Sequence, residues 1–222
     1  MSGNYFNTEI ALDYIWIYSH FLQQQLFSCE ASARQGHYFL SVLTQINLLE
    51  DAIKSAVDNY EDNYNEVAAE AFERGLLTEI EYYFVSGAEN SLRKFRNSIA
   101  HKNLSAMYIQ FSNEVLLCPL TEEETYQIFY NKYSHIIVNL ILKVITKNRE
   151  YNLCLDSLLK DNAYRIHTFT ISELLALKGY PKDYADGVPL SDSDKIRLID
   201  NSSDLTIINA LLKSVLSVDK ND

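Results

Sequence analysis

Glycine and proline are scarce in this sequence, with six Gly and three Pro in 222 residues. A sandwich of many short strands needs turn residues at close intervals, so this scarcity excludes a turn-rich β architecture and favours long helices. Basic residues are also few: 19 Lys and Arg stand against 30 Asp and Glu, a net charge of −11. A protein that coats DNA nonspecifically needs a broad basic surface to neutralise phosphates and release their counterions. This chain has no such surplus, although a small local basic site is compatible with the total. The three cysteines, Cys29, Cys118 and Cys154, form no CxxC pair. An odd number at these spacings excludes a disulfide framework and a structural zinc site, and fits reduced thiols in a cytoplasmic protein. Long apolar runs are missing as well. The stretch from Ile136 to Leu142 is interrupted at Asn139 and is too short to cross a bilayer, and the first residues lack the pattern of a secretory signal. No membrane association is expected.

What is present is an ordinary globular balance of hydrophobic and charged residues, 47% and 22%, in a chain long enough for one or two domains with a real core. Apolar residues recur at helical spacing from Glu9 to Phe27, with Ile10, Tyr14, Ile17 and Phe21 leading the stripe. The same periodicity predicts a second helix from His37 to Tyr60 and a third from Asn65 to Tyr83. Gly87 breaks the pattern before a fourth segment with Leu92, Phe95 and Ile99. The rhythm then changes: Met107–Phe111, a turn at Ser112-Asn113 and Glu114–Leu117 read as a β-hairpin ended by Pro119. Thr121 and Glu124 form a capping-box pattern opening a helix with Tyr126, Phe129, Tyr133, Ile137, Leu140 and Val144. A boundary near Glu150 separates a first domain, residues 1–150, from a small helical tail, residues 151–222. The fold class is mainly α, with a short hairpin.

Against the acidic trend, Arg93, Lys94, Arg96, His101 and Lys102 place five cationic or potentially cationic residues within ten positions. Arginine offers phosphate oxygens a planar fork of donors. Histidine titrates near neutrality and can move a proton at cellular pH. One Arg and one His can therefore activate a ribose 2′-hydroxyl and stabilise a pentavalent phosphate without a metal or other cofactor, and no carboxylate pair or HExxH-type cluster points to a metal route. Arg93, Lys94 and Lys102 are the expected substrate-binding residues. The spacing carries a constraint. Five residues of regular helix turn through about 500°, leaving the Arg96 and His101 side chains roughly 140° apart. Either the helix breaks near Asn97 or an active cleft combines residues from two subunits. Asn97 is placed to hold Arg96 or His101 by hydrogen bonding.

The string from Phe95 to Asn103, FRNSIAHKN, resembles the R-x4-6-H signature of the HEPN superfamily in its form with Asn after Arg. The preceding helices, the hairpin and the long helix after it are similar to that family's arrangement over residues 5 to 150. The resemblance implies a HEPN-like helical bundle, a homodimer, and a metal-independent endoribonuclease acting on RNA in a prokaryotic toxin–antitoxin, abortive-infection or restriction-associated system. It implies that Arg96 stabilises the scissile phosphate, His101 transfers protons and Asn97 supports them, and it extends to an antitoxin as partner. Members with no catalysis, serving as dimerisation or sensing modules that bind a partner or nucleotide, supply the alternative. An acidic residue on an early helix near the site is a further feature of the family, and Glu50 on the second predicted helix fits it, as an orienter of His101 or a partner for Arg96. One toxin branch carries Tyr two residues after the His, where this chain has Asn103. Tyr82 and Tyr83, ahead of the motif, are candidates to border an RNA cleft.

The tail bears a second resemblance. Phe169–Glu173 and Leu177–Tyr184 are similar to a late block of DNA cytosine-5 methyltransferases, and Ser191–Ser202 to the final block, which runs into a helix expected here from Leu205 to Val215. The final block's Gly is replaced by Asp200, and the Pro-Cys nucleophile is missing, since Cys118 precedes Pro119 rather than following a proline. Methyl transfer by this chain alone is thereby excluded, and the resemblance implies docking to a methyltransferase partner. Local chemistry accounts for the same residues: Thr170 with Glu173 is a capping box, Gly179 a helix C-cap and Pro181 a stop.

Overall fold

The computed structural model describes residues 4–101, 103–112, 116–180, 185–186 and 190–201, with the side chains of His101, Leu198 and Asn201 outside that set. It is mainly helical with a small antiparallel sheet and a short helical carboxy-terminal segment, as the composition leads one to expect. At its centre α3 (Tyr38–Val57) packs on α7 (Glu123–Ile145). The periodic residues expected on α7, Tyr126, Phe129, Tyr133, Ile137, Leu140 and Val144, are all buried. No helix among the described residues is long and apolar enough to cross a membrane.

The single helix expected from Glu9 to Phe27 is two, α1 (Thr8–Tyr18) and α2 (His20–Arg34). Ser19 is extended, at φ −155° and ψ 101°, and its hydroxyl accepts the Leu22 amide at 3.2 Å as the N-cap of α2. The helix expected from Asn65 to Tyr83 is likewise two, α4 (Tyr64–Glu73) and α5 (Glu79–Ser86). Gly75 turns the chain at φ 72°, in the left-handed region where a side chain is strained, and a capping box between Thr78 and Glu81 restarts it. Glu81 is also half of a buried ion pair. Lys143 of α7 donates to both of its carboxylate oxygens, at 2.9 and 2.7 Å, and the Leu155 amide donates to Oε1 at 3.3 Å.

The motif helix α6 (Leu92–His101) is followed by a 3-10 turn, Leu104–Ala106, and strand β1 (Met107–Phe111). β1 pairs with β2 (Leu117–Pro119) in the register Tyr108↔Pro119, Ile109↔Cys118 and Gln110↔Leu117. The described part of the second strand thus runs on past Leu117, and Pro119 belongs to it instead of ending the hairpin. β2 is an edge strand, where a missing N–H is tolerated; Asn113, Glu114 and Val115 lie outside the described residues. The Thr121–Glu124 capping box does not form. The N-cap of α7 is Glu122, with no side-chain cap bond, and the Thr121 hydroxyl bonds the Asp200 carboxylate at 3.4 Å instead.

Beyond Glu150 the chain returns to the same core, through Leu153, Leu155 and Leu159 around α8 (Asp156–Asp161), and then forms β3 (Tyr164–Thr168). β3 pairs antiparallel with β1, from Phe111↔Tyr164 to Met107↔Thr168, making β1 the middle of a β2-β1-β3 sheet. Side chains alternate across a strand. Met107, Ile109 and Phe111 therefore join the helical core, while Tyr108 joins a second cluster with Ala106, Leu174, Leu175, Ala185 and Ile199. This cluster seats α9 (Ile171–Leu177) and α10 (Asp192–Asn201) on the sheet. The expected Thr170–Glu173 capping box is present, and Gly179 follows α9 at φ 76°. Asp200, the departure from the methyltransferase block, is a latch. The buried Lys178 ammonium bonds its carbonyl and lies 3.5 Å from Oδ1, and Tyr108 donates to the same oxygen at 3.4 Å. Pro181 and the helix expected from Leu205 to Val215 lie outside the described residues.

Candidate functional site

The start of α6 is fixed by close backbone contact. A Cβ on Gly87 would sit 2.6 Å from the Tyr83 carbonyl, so only glycine lets α5 end there. Ser91 is buried, donates to the Gly87 carbonyl at 2.8 Å and accepts the Lys94 amide at 3.2 Å, as an N-cap does. Asn90 accepts the Ile166 amide at 2.9 Å and ties this turn to β3. Leu92 and Phe95 then anchor the inner face, with Phe95 stacked on Phe129 at a centroid distance of 4.5 Å.

Helix α6 runs unbroken from Leu92 to His101. Of the two routes by which Arg96 and His101 might share a phosphate, a break at Asn97 is therefore ruled out. Arg96 leans onto α3, where its Nη1 forms an ion pair with Glu50 and lies 3.4 Å from Asn47 Oδ1. The guanidinium also sits 5.5 Å from the centroid of the Tyr64 ring, a cation–π contact. Glu50 is shared with Lys54, at 3.0 Å one turn along α3. The Tyr64 phenol is buried and unpartnered among the described residues. Its pKa is pushed well up, first by burial and then by the Glu50 carboxylate, while Arg96 and Arg93 act the other way. Arg93, which acts on the same phenol, has its Nε buried and without a hydrogen-bond partner among the described residues. The local charge is thus Arg96 and Lys54 on the one Glu50 carboxylate, with Arg93 near the Tyr64 phenol.

The expected site residues divide accordingly. Glu50 and Arg96 are brought together, and Arg93 lies near them through Tyr64. Lys94 and Asn97 are half-buried on α6, and Asn97 makes no side-chain hydrogen bond among the described residues, so it does not hold Arg96. His101 closes the helix; its side chain and all of Lys102 lie outside the described residues. Asn103 follows, and its amide donates to the Ser193 carbonyl at 3.3 Å, which places the start of α10 against the segment after the motif. Among the described residues no group of three His, Cys, Asp or Glu is placed to hold a metal ion.

Asn47, Lys54 and Tyr64 belong to this cluster and were missed by the sequence reading. Asn47, Glu50 and Lys54 stand at i, i+3 and i+7 on one face of α3, a spacing that contained the signal. Tyr64 offered none, because it reaches the site from the first residue of a helix separated from α3 by a polar loop. The candidate aromatics lie elsewhere. Tyr82 stacks on Phe72, whereas Tyr83 borders an open cleft of about 540 Å³ with Glu89, Asn90, Tyr164 and Arg165. Comparison with protein-family models, curated proteins and solved structures returns no match to this chain.

Proposed function

We propose that this chain is a HEPN-type, metal-independent endoribonuclease of a prokaryotic conflict system, cytoplasmic and homodimeric, whose cleft combines Arg96 of one subunit with His101 of the other. The observation that carries the reading is the fixed guanidinium of Arg96, clamped by Glu50 and Tyr64 on an unbroken helix that ends at His101. An immobilised cation is suited to transition-state charge, because it needs no reorganisation when that charge develops. In the proposed reaction His101 removes the ribose 2′-hydroxyl proton. The 2′-oxygen bonds to phosphorus, the bond to the 5′-oxygen breaks, and that oxygen leaves with a proton. The products are a 2′,3′-cyclic phosphate and a 5′-hydroxyl.

A specific observation also favours the second reading, a non-catalytic module of the same fold. Glu50 already neutralises Arg96, so the arginine has a structural role whether or not it meets a phosphate. The resemblance of the tail to methyltransferase blocks adds a methyltransferase to the antitoxin as a candidate partner. Any such docking uses surface other than Asp200, which is occupied within the chain.

Cleavage of mixed RNAs in EDTA separates the readings. His101→Ala is expected to lose on the order of 100-fold or more in rate with the oligomer intact. Arg96→Ala is also expected to be inactive, and co-expression of the two variants tests the composite cleft. Each heterodimer regains one complete site, so a statistical mixture recovers about a quarter of wild-type activity. An inert wild type, or no recovery on mixing, refutes the nuclease or the shared cleft respectively.

A further inference from the structure

The cleft bordered by Tyr83 is assembled from separate parts of the chain: α5, the Glu89–Asn90 turn before α6, and the adjoining ends of β1 and β3. Its volume of about 540 Å³ lies within the range of small-ligand sites, about 300–1,000 Å³. Ile80, Phe84 and Leu159 give it apolar walls. Tyr83 stands at its border, 57% exposed, with Tyr82 behind it at a centroid distance of 5.7 Å and Tyr82 in turn stacked on Phe72. The Tyr83 ring is therefore supported and still has open surface to offer.

The polar groups around the cleft fall into two sets. The neutral ones are committed within the chain: Asn90 Oδ1 accepts the Ile166 amide, the Ser112 hydroxyl donates to the Ala163 carbonyl, and the Asn162 amide donates to the Leu158 carbonyl. The charged ones are not. The side chains of Glu89 and Arg165 are exposed and make no hydrogen bond or ion pair among the described residues, with each other included. Their backbones are nevertheless tied together. Asn90 follows Glu89, Ile166 follows Arg165, and the 2.9 Å bond between Asn90 and Ile166 fixes the two segments side by side. Asn90 makes that bond at φ 54°, a left-handed conformation that Asn tolerates.

We infer that this cleft holds an unpaired guanine base. Single-stranded nucleic acid is read by stacking bases on aromatic rings and hydrogen-bonding their free edges. A flat ligand that satisfies both free charges must offer donors to a carboxylate on one edge and acceptors to a guanidinium on another. Guanine does so, with N1–H and the N2 amino group for Glu89 and with O6 and N7 for Arg165. Adenine places an amino donor beside N7, where the guanidinium needs an acceptor, and the pyrimidines have no N7. A bare anion is a poor occupant, because Glu89 and a net charge of −11 both repel it. The inference goes beyond the nuclease reading and does not require it. The cleft lies at the amino end of α6, before Leu92, whereas His101 closes that helix.

A guanine base is carried both by RNA strands and by free nucleotides, so the test on the full chain has two arms. The first is fluorescence anisotropy of end-labelled 2′-O-methyl uridine pentamers with a central guanosine or a central adenosine. These lack the 2′-hydroxyl that the proposed cleavage needs, so an active and an inert nuclease give equally readable binding. The second is calorimetric titration with guanosine monophosphate against adenosine monophosphate. The expected preference for guanine is on the order of 10-fold. Preference in both arms shows that the free nucleotide suffices, and preference in the pentamers alone shows that the base is taken only within a strand. Glu89→Ala/Arg165→Ala, at exposed positions, is expected to abolish the preference with unchanged far-UV circular dichroism. Tyr83→Ala is expected to weaken binding on the order of 10-fold while the ratio of guanine to adenine persists. Equal affinity for the two bases, absence of binding in both arms, or a double variant that still prefers guanine overturns the inference. None of these outcomes bears on cleavage, which is scored separately on unmodified RNA.

Discussion

Removing one charge from the Glu81–Lys143 pair should cost more than any surface substitution, and its size follows from the surroundings. The Glu81 side chain is 0% exposed and that of Lys143 4%. Besides the ammonium, the carboxylate receives the Thr78 amide at 2.9 Å and the Leu155 amide, so α5, α7 and the start of α8 meet at one group. Glu81→Gln keeps the shape and an oxygen for the Thr78 amide but strands the Lys143 ammonium in the core. Breaking such a pair from one side costs about 3–5 kcal/mol. At roughly 2–4 °C per kcal/mol for a chain of this size, the midpoint should fall by about 6–20 °C. Lys143→Met should cost a similar amount by stranding the carboxylate. Combining the two removes both buried charges, so the double variant should be more stable than the sum of the single losses by about 2 kcal/mol. Urea unfolding followed by far-UV circular dichroism at one protein concentration gives all four stabilities, with unchanged m-values confirming a common transition. A Glu81→Gln cost below about 1 kcal/mol, or strict additivity, would show that water reaches the pair and would refute the argument.

Asp200→Gly, which restores the residue of the methyltransferase block, removes the carboxylate contacts to Lys178, Tyr108 and Thr121. It should loosen α9 and α10 by about 1–3 kcal/mol, seen as faster amide exchange at Leu174 and Leu175 with α3 and α7 unaffected. Unchanged protection would mean that apolar packing alone seats the tail. Burial lowers the pKa of His135 from its ordinary 6.5, so the unfolded chain binds the extra proton first. Its contribution is complete above pH 6.5 and is lost as pH falls through that value towards the lower folded one. His135→Gln should flatten the decline in urea midpoint between about pH 7 and 5.5 relative to wild type, and an unchanged slope would count against it.

The central helices were legible because their apolar positions keep a 3.6-residue period over about three to five turns, as Ile46, Leu49, Ile53 and Val57 do on α3 and Tyr126 to Val144 on α7. The breaks were not. Leu12, Ile15, Leu22 and Leu26 stay in helical phase across Ser19, so the pattern continues where the backbone does not. At Gly75 and Thr78-x-x-Glu81 the signals were present but overshadowed by the apolar residues around them. Thr121 shows the opposite failure, a local capping pattern defeated by a distant carboxylate, Asp200. β3 escaped notice because Tyr-Arg-Ile-His-Thr has only two apolar positions, and its partner strand lies far back in the sequence. At the site, the motif and Glu50 were legible as residue types. Their pairing was one of two roles the sequence left open for Glu50, and the Tyr64 contact depends on how α4 crosses α3, which no local pattern encodes.

The place of β1 in the sheet also bears on biosynthesis. β1 is the middle strand, yet Phe111 finds its partner only in Tyr164. A ribosome adding about 5–20 residues per second needs roughly 3–10 s to cover that distance. During that time the nascent chain holds Met107, Ile109 and Phe111 on a strand with one open edge, the kind of edge that templates pairing with other chains. Late arrival of β3 therefore makes this interval, rather than the finished protein, the stage at which aggregation competes with folding, and slowed translation between residues 112 and 164 should lower the soluble yield.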